Sequence, residues 1–485
     1  MNIDEPLWTS SELATACNAD SARPWFADGL QTDSRLVLPG DLFVALKGDN
    51  YDGHAFVKEA LGKGAAAVLV SDVPEGIADD EPRLVRVGDV LPALEKMAAY
   101  AVMRAPVCTL AVTGSVGKTS IVHALKKALA NSGDTHTSVR SYNNHIGLPV
   151  SMARMPRGAR YGIFEVGISE PGEMSDRARV IQPDVVLVST LGPAHVGNFA
   201  SIDAIIEEKA RIFDGMRPGG TAIIASDGPY AERMIHAAEA RGLTVIKVSA
   251  ECENKEADVY PLHASERFDC SCLTADVGGT IVTYRIGEPG KAWLLNSLMV
   301  LAAVKETGAD LGGAALSLAT LVAERGRGRT HHLTWDDQGF MLIDDSYNAN
   351  PVSMEAALDR IGALPVGHTA RRVGVFADMA ELGDLTADAH EALAGKMRAA
   401  GLTKVFAIGQ GMAGAARAAG LAVEEFDDTT DLARQLLSDV RQDDVLLVKG
   451  ANKAGLEGVV RTLLETATVS TEFGHSGMAL SAAAE

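Results

Sequence analysis

The stretch LAVTGSVGKTSIVHALKKAL, from Leu110 to Leu129, sets glycines, a lysine and hydroxyls in an order that suits a phosphate. Gly114 and Gly117 let the backbone bend so that successive amides turn inward. Lys118 adds a mobile positive charge, and Thr119 offers a hydroxyl to a metal. A helix starting near Thr119 points its positive end the same way. The spacing is Gly-x-x-Gly-Lys-Thr, shorter than the usual interval between the two glycines, because Val112 stands five residues before Gly117. With an apolar run before it and a helical pattern after it, the segment predicts a nucleotide-binding loop of Gly114, Ser115, Val116, Gly117, Lys118, Thr119 and Ser120.

A second set of residues could act on the nucleotide. Glu165 ends the apolar run GIFEV, and His195 follows another, VVLVSTLGPAH. If both strands flank the one that leads into the loop, a carboxylate, an imidazole and the Thr119 hydroxyl are candidate Mg²⁺ ligands, although Mg²⁺ prefers oxygen. Lys209 lies in the amphipathic stretch SIDAIIEEKARIF after two acids, and sequence physics alone reads it as part of a solvated Glu-Lys face.

These residues need a frame. Residues 36–71 alternate short apolar strands with a helix-like stretch, Ala55 to Lys63, and predict a small α/β unit. A helical pattern ending at Pro106 closes it. The second unit opens with the loop strand and continues through RYGIFEVG, PDVVLVST, GGTAIIAS and TVIKVS, closed by two helices over LNSLMVLAAVKETGADLGGAALSLATLV. That alternation predicts a mostly parallel, doubly wound sheet with helices on both faces. A third unit begins near ERGRGRTHHL, with strands FMLIDDS, RRVGVFAD, KVFAIG and DVLLVKG, and again reads as a Rossmann-like α/β fold. The expected boundaries are 1–106, 107–322 and 323–470, with a frayed tail over 471–485.

Bulk properties narrow the field. At 485 residues, and about 150 per domain, the chain is expected to hold roughly three domains. The formal charge of −20 argues against nucleic acid as a partner. No apolar stretch approaches the ~20 residues that span a bilayer, and the acidic N-terminus lacks the order of a signal peptide. A cytoplasmic protein with no membrane partner, working on small molecules as a monomer, is the expectation. The 5 cysteines give neither a disulfide framework nor a zinc site.

Over nearly its whole length the chain resembles the ATP-dependent Mur ligases, closest to the branch that adds D-alanyl-D-alanine in peptidoglycan synthesis. TDSRLVLPGDLFVALKGDNYDGHAFVKEAL, TGSVGKTS, YNNHIGLPVSMARMP, GPAH, EKARIF and GRGR follow in family order, and LIDDSYNANPVSMEAAL is the form typical of that branch. The resemblance implies three domains, ATP and Mg²⁺ as cofactors, and an acyl phosphate made from a bound carboxylate and attacked by an amine. It implies that the loop cradles the β- and γ-phosphates, and that Glu165 and His195 hold Mg²⁺ with Thr119 and Lys209. Lys209 matches a lysine that the family carbamylates. It implies that Asn296, with Asn348 or Asn350 near Asp345, contacts the adenine end, and that Arg327 reaches the γ-phosphate. Asp33, Ser34, Arg35, Lys47 and Gly48 match residues that hold the uridine nucleotide; Asn143, Asn144 and His145 sit where the family meets the muramyl peptide.

The chain departs from the branch pattern in places. Ser169-Glu170 replaces an Asn-His pair before PGE, VGNF follows PAH, Ala377 replaces a glycine ahead of Asp378 and Glu381, and Ala451 replaces a serine after Lys449-Gly450. Three readings stay open on the sequence: D-Ala-D-Ala addition to a muramyl tripeptide, the same ligation on another acid–amine pair, and a P-loop switch that hydrolyses ATP to move domains. Phosphate release with and without each acceptor separates them.

Overall fold

The computed structural model describes residues 5–48, 51–138, 143–193, 196–267, 269–367 and 369–469. His195 and the expected tail over 471–485 lie outside those residues. Two compact units divide the chain, Met1–Leu191 with Phe199–Leu321, and Gly192–Asn198 with Val322–Glu485.

In the first unit a nine-stranded sheet runs in the order Thr280–Ile286, Ser271–Val277, Val259–Glu266, Thr244–Val248, Thr221–Ala225, Val185–Val188, Cys108–Thr113, Tyr161–Glu165 and Thr135–Thr137. Its strands from Val259–Glu266 to Thr135–Thr137 pair in parallel. Tyr161–Glu165, Val185–Val188 and Thr221–Ala225 are buried at every position, as a sheet covered on both faces requires. Their runs of Val, Ile and Phe are therefore continuous rather than alternating. The strands Ser271–Val277 and Thr280–Ile286 add an antiparallel edge that the apolar pattern of the sequence does not predict. In Ser271–Val277 buried and half-buried residues alternate, the mark of a sheet covered less completely on one side.

A five-stranded sheet in the same unit has the order Asp20–Ser21, Leu84–Arg86, Ala67–Val70, Asp41–Val44 and Gly29–Gln31, parallel except for the first strand. The helix expected over Ala55–Lys63 forms as a 3-10 turn, Gly53–Phe56, followed by the α-helix Val57–Gly62. This small sheet is tied to the large one by side chains reaching backbone. Trp8 Nε1 donates to Ala153 O at 2.8 Å, Arg154 Nε to Leu30 O at 2.8 Å, and Arg157 Nε to Pro6 O at 2.8 Å. Glu12 accepts from both Arg104 and Arg157.

In the second unit a seven-stranded sheet has the order Ala422–Glu425, Leu402–Ile408, Arg372–Ala377, Val445–Lys449, Gln338–Asp345, Arg329–Trp335 and Thr468–Val469. Its first five strands are parallel, and the last two pair antiparallel. The hairpin between Arg329–Trp335 and Gln338–Asp345 turns on Asp336 and Asp337, at φ 48° and 60°. Two left-handed residues make the tight turn whose twist matches the flanking strands. Among the described residues no helix is long and apolar enough to cross a membrane.

One close approach matters for the site. The helix Glu173–Ile181 lies against the 3-10 turn Arg211–Gly215, and a Cβ on Gly215 would stand 2.3 Å from the Ala178 carbonyl carbon. Backbone cannot yield as a side-chain tip can. Gly215→Ala should lower unfolding free energy by about 1–3 kcal/mol, read as a drop in thermal midpoint. Gly158→Ala, where an added Cβ meets nothing within 4 Å, should leave it unchanged.

Candidate active site

Cys108–Thr113 lies between Val185–Val188 and Tyr161–Glu165, so the loop after it emerges where the carboxyl ends of three parallel strands meet. The condition set for Glu165 is thus met: Glu165 is the register partner of Val112, one strand from the loop. The helix Lys118–Leu129 begins one residue earlier than expected, on Gly117 at φ 92°. Gly114 has φ 142°, and a Cβ there would stand 2.0 Å from Ser189 Oγ. A Cβ on Gly117 would stand 2.9 Å from Asn296 Oδ1, on the buried helix Lys291–Glu306. Both glycines are required by backbone angle and by space.

The amides do not all turn inward as expected. Those of Ser115 and Val116 donate to Thr190 O, at 2.9 and 3.2 Å, because the end of the neighbouring strand offers an acceptor that buried donors need. Ser189 Oγ lies 2.6 Å from Val116 O and 3.1 Å from Thr113 O. Ser120 is half-buried in the first helical turn.

Charge gathers at one oxygen. Lys118 Nζ donates to Gly114 O at 2.9 Å, and Lys209 Nζ donates to the same atom at 3.1 Å. Lys209 is 2% exposed, far from the solvated face read from its sequence. Burial, and then the like charge of Lys118, push its pKa well below the ordinary lysine value. Beside this pair the Thr119 hydroxyl donates to Glu165 Oε2 at 2.7 Å, and Asn143 Nδ2 donates to Glu165 Oε1 at 2.8 Å. Hydroxyl and carboxylate oxygens suit a hard cation such as Mg²⁺. Lys209 fits such a set only after carbamylation replaces its ammonium by oxygen donors. Among the described residues no group of three or more His, Cys, Asp or Glu side chains could itself hold a metal.

The other expected residues have definite places. Asn144 Oδ1 accepts from Ile146 N at 3.3 Å and Gly147 N at 2.7 Å, before the helix Gly147–Ala153, while His145 is exposed. Asp33 takes a two-bond fork from Arg35, at 2.9 and 2.7 Å, which pushes its pKa down to about 2. Ser34 Oγ donates to Glu59 at 2.7 Å, and Gly48 N donates to Tyr51 O at 2.8 Å next to the bridge between Lys47 and Asp52. In the second unit Lys449, 2% exposed, pairs with Asp345 at 2.7 Å and donates to Asn348 O at 3.0 Å. The Asn350 side chain caps the helix Pro351–Ala363. Arg327 stacks on Tyr347, its guanidinium carbon 3.7 Å from the ring centroid.

The hydrogen bond from Asn143 to Glu165 was not legible in the sequence, where the YNNHIGLP motif marks Asn143 only for the muramyl peptide, and nothing local marks Ser189 behind the loop. Sheet, phosphate loop and converging cations together define an α/β protein built to hold nucleotide phosphates.

Known proteins give this class a family. The profile described as "Mur ligase middle domain" matches residues 112–304, "Mur ligase, glutamate ligase domain" matches 328–452, and "Mur ligase family, catalytic domain" matches 27–101. The UDP-N-acetylmuramoyl-tripeptide–D-alanyl-D-alanine ligase of Escherichia coli is 32% identical over 443 residues, covering 91% of this chain and 94% of that protein. The ligase of the same name from Bacillus subtilis is 28% identical over 456 residues, covering 90% and 93%. A crystal structure of MurF from Acinetobacter baumannii, 25% identical, superposes with a TM-score of 0.81 over 94% of this chain and 99% of that one. The chain belongs to the Mur ligase family.

Gly117→Ala should weaken nucleotide binding tenfold or more, on the order of the strain a side chain meets at positive φ. Titration calorimetry with ATP checks this; unchanged affinity would place the phosphates elsewhere.

Proposed function

We propose that the chain is the ATP-dependent ligase that adds D-alanyl-D-alanine to UDP-N-acetylmuramoyl-tripeptide in peptidoglycan precursor synthesis. One observation carries the reading: Lys118 and Lys209 converge on Gly114 O beside the Thr119–Glu165 pair, in a chain 32% identical to a ligase of that name. A carboxylate resists an amine at neutral pH, so it must first be activated. A carboxylate oxygen of the tripeptide attacks the γ-phosphorus of ATP, the bond to the β,γ-bridging oxygen breaks, and ADP departs. The dipeptide nitrogen then attacks the acyl carbon. The tetrahedral intermediate expels phosphate with the electron pair of the C–O bond, and the nitrogen loses its proton.

The chain's part is positioning and charge. Residues Gly114 to Ser120 cradle the β- and γ-phosphates, and Lys118 neutralises charge gathering on the transferred group. Thr119 and Glu165, with His195 and carbamylated Lys209, would hold Mg²⁺, which supplies neutralisation of the phosphate oxygens. Asn143 orients Glu165 through its hydrogen bond. Asn296, Asp345, Asn348, Asn350 and Arg327 are assigned to the nucleotide, and Asp33, Ser34, Arg35, Lys47, Gly48, Asn143, Asn144 and His145 to the muramyl nucleotide and its peptide; family likeness supports these roles. The enzyme acts as a cytoplasmic monomer in this reading.

A second reading keeps the chemistry and changes the acceptor. Its support is the 167–172 loop, where Ser169 and Glu170 stand exposed and donate both their amides to Glu173. Phosphate release measured with the muramyl tripeptide against a panel of amines decides between them. Release with D-alanyl-D-alanine, and none when either substrate is omitted, is the expected result; release only with another amine favours the second reading.

Two substitutions test the roles. Lys118→Ala should lower kcat by roughly 100- to 1,000-fold, the loss typical of one preorganised electrostatic donor. Lys209→Ala should be inactive and recover partly when short-chain carboxylates are added. Full activity of Lys209→Ala would end the carbamate role.

A further inference from the structure

Lys209 can serve the loop only if its helix is held at one depth and one rotation, and its neighbour Glu208 provides the hold. Glu208 lies on the helix Ile202–Ala210 and is 4% exposed, a burial that an unpartnered carboxylate does not tolerate. Its Oε1 accepts from Met174 N at 2.8 Å, and its Oε2 lies 3.3 Å from Arg211 Nε. Met174 is in the first turn of the helix Glu173–Ile181, whose N-cap residue, Gly172, has no side chain to cap it. Glu208 therefore caps that helix from outside, placing a negative group where the helix presents its positive end. The same helix follows the 167–172 loop directly. Arg177 in its second turn pairs with Glu173 at 2.6 Å and donates to Gly167 O. At the far end of the segment, Gly215 touches Ala178 backbone to backbone. Lys209 thus sits between two attachments to one helix, a carboxylate just before it and a glycine contact at the end of the 3-10 turn that follows its helix.

We infer that Glu208 is a positioning residue, which fixes the Lys209 helix against the helix Glu173–Ile181 so that the Lys209 side chain meets Gly114 O. The inference rests on the ligase reading and on the role it gives Lys209. What matters is the reach of the side chain, because one methylene separates a bond to Met174 N from a helix drawn out of register. A misplacement near 1 Å is enough to cost about 100-fold in rate.

Glu208→Gln and Glu208→Asp separate reach from charge. Gln keeps the length and an oxygen that can accept from Met174 N; Asp keeps the charge and is shorter. Glu208→Gln should hold kcat within about threefold of the wild type, and Glu208→Asp should lose about tenfold or more, with KM for ATP changed less than about threefold in both. Thermal midpoints taken alongside show that both variants are folded. The inference is overturned if Glu208→Asp keeps wild-type kcat, if Glu208→Gln falls as far as Glu208→Asp, or if the two differ only in thermal midpoint. Lys209→Ala in the same assay locates a failure: wild-type turnover there would sink the ligase role of Lys209 itself, whereas its loss beside an active Glu208→Asp sinks only the positioning.

Discussion

Two ammonium groups share the carbonyl oxygen of Gly114, and one of them, on Lys209, is shut away from water. Lost hydration and mutual repulsion both work against this arrangement, and one carbonyl dipole offsets only part of either. The surroundings must therefore impose it. Gly114 lacks a Cβ because Ser189 fills that space, Gly117 because Asn296 does, and the C-terminal end of the Lys209 helix, with the turn that follows it, is bound to the helix Glu173–Ile181. A site held in this condition relaxes in either of two ways: a polyanion arrives, or Lys209 gives up its charge. In the ligase reading, a bound triphosphate would draw on the first, and a carbamate on Lys209 would draw on the second.

Much of this was legible in the chain. The glycine turn between an apolar run and a helical pattern identifies the loop without any neighbour in view, because its constraints are local. The parallel sheet follows from strands too apolar to face water on either side, such as VVLV at 185–188. Lys209 was the opposite case. Its flanking acids suggest a solvated face, and only the three-dimensional packing buries it. Glu208 was equally illegible, since the amide it caps lies 34 positions earlier in the chain. The antiparallel edge over 259–286 was missed because a half-covered strand with Asp, Thr and Arg in its pattern carries a weaker apolar signal than a buried one.

In the second unit, polar residues of one motif divide their work. Of DDSYNANP, Asp344 takes hydrogen bonds from Ser346 and from Gly326 N, and Asn350 caps a helix beside Pro351. An Asn before a Pro at the first helical position is itself a start signal. Asp345 and Asn348 meet Lys449 at the carboxyl ends of adjacent parallel strands, where α/β sheets place their ligands. A nearby strand end is organised alike: Asp378 accepts from Gly411 N and Met412 N, while His390 Nε2 accepts from Met379 N and Nδ1 donates to Thr386 O. A motif conspicuous in the sequence thus has scaffold duties of its own, and hydrogen-bond partners identify which of its residues carry them.

The bonds that weld the small sheet to the large one reach further than stability. Arg154 grips Leu30 and Gln31, just before Asp33 and Ser34, and Arg154 itself directly follows the helix that Asn144 opens. The stretch that would grasp one end of a long substrate and the stretch that would grasp its middle are thereby fixed in one compact body with the phosphate loop. If the two stretches do hold that substrate, such a body would work as a caliper with locked jaws. It would gauge a molecule by span, so that an analogue shortened between its two grips could occupy either one and still leave its reacting end out of reach.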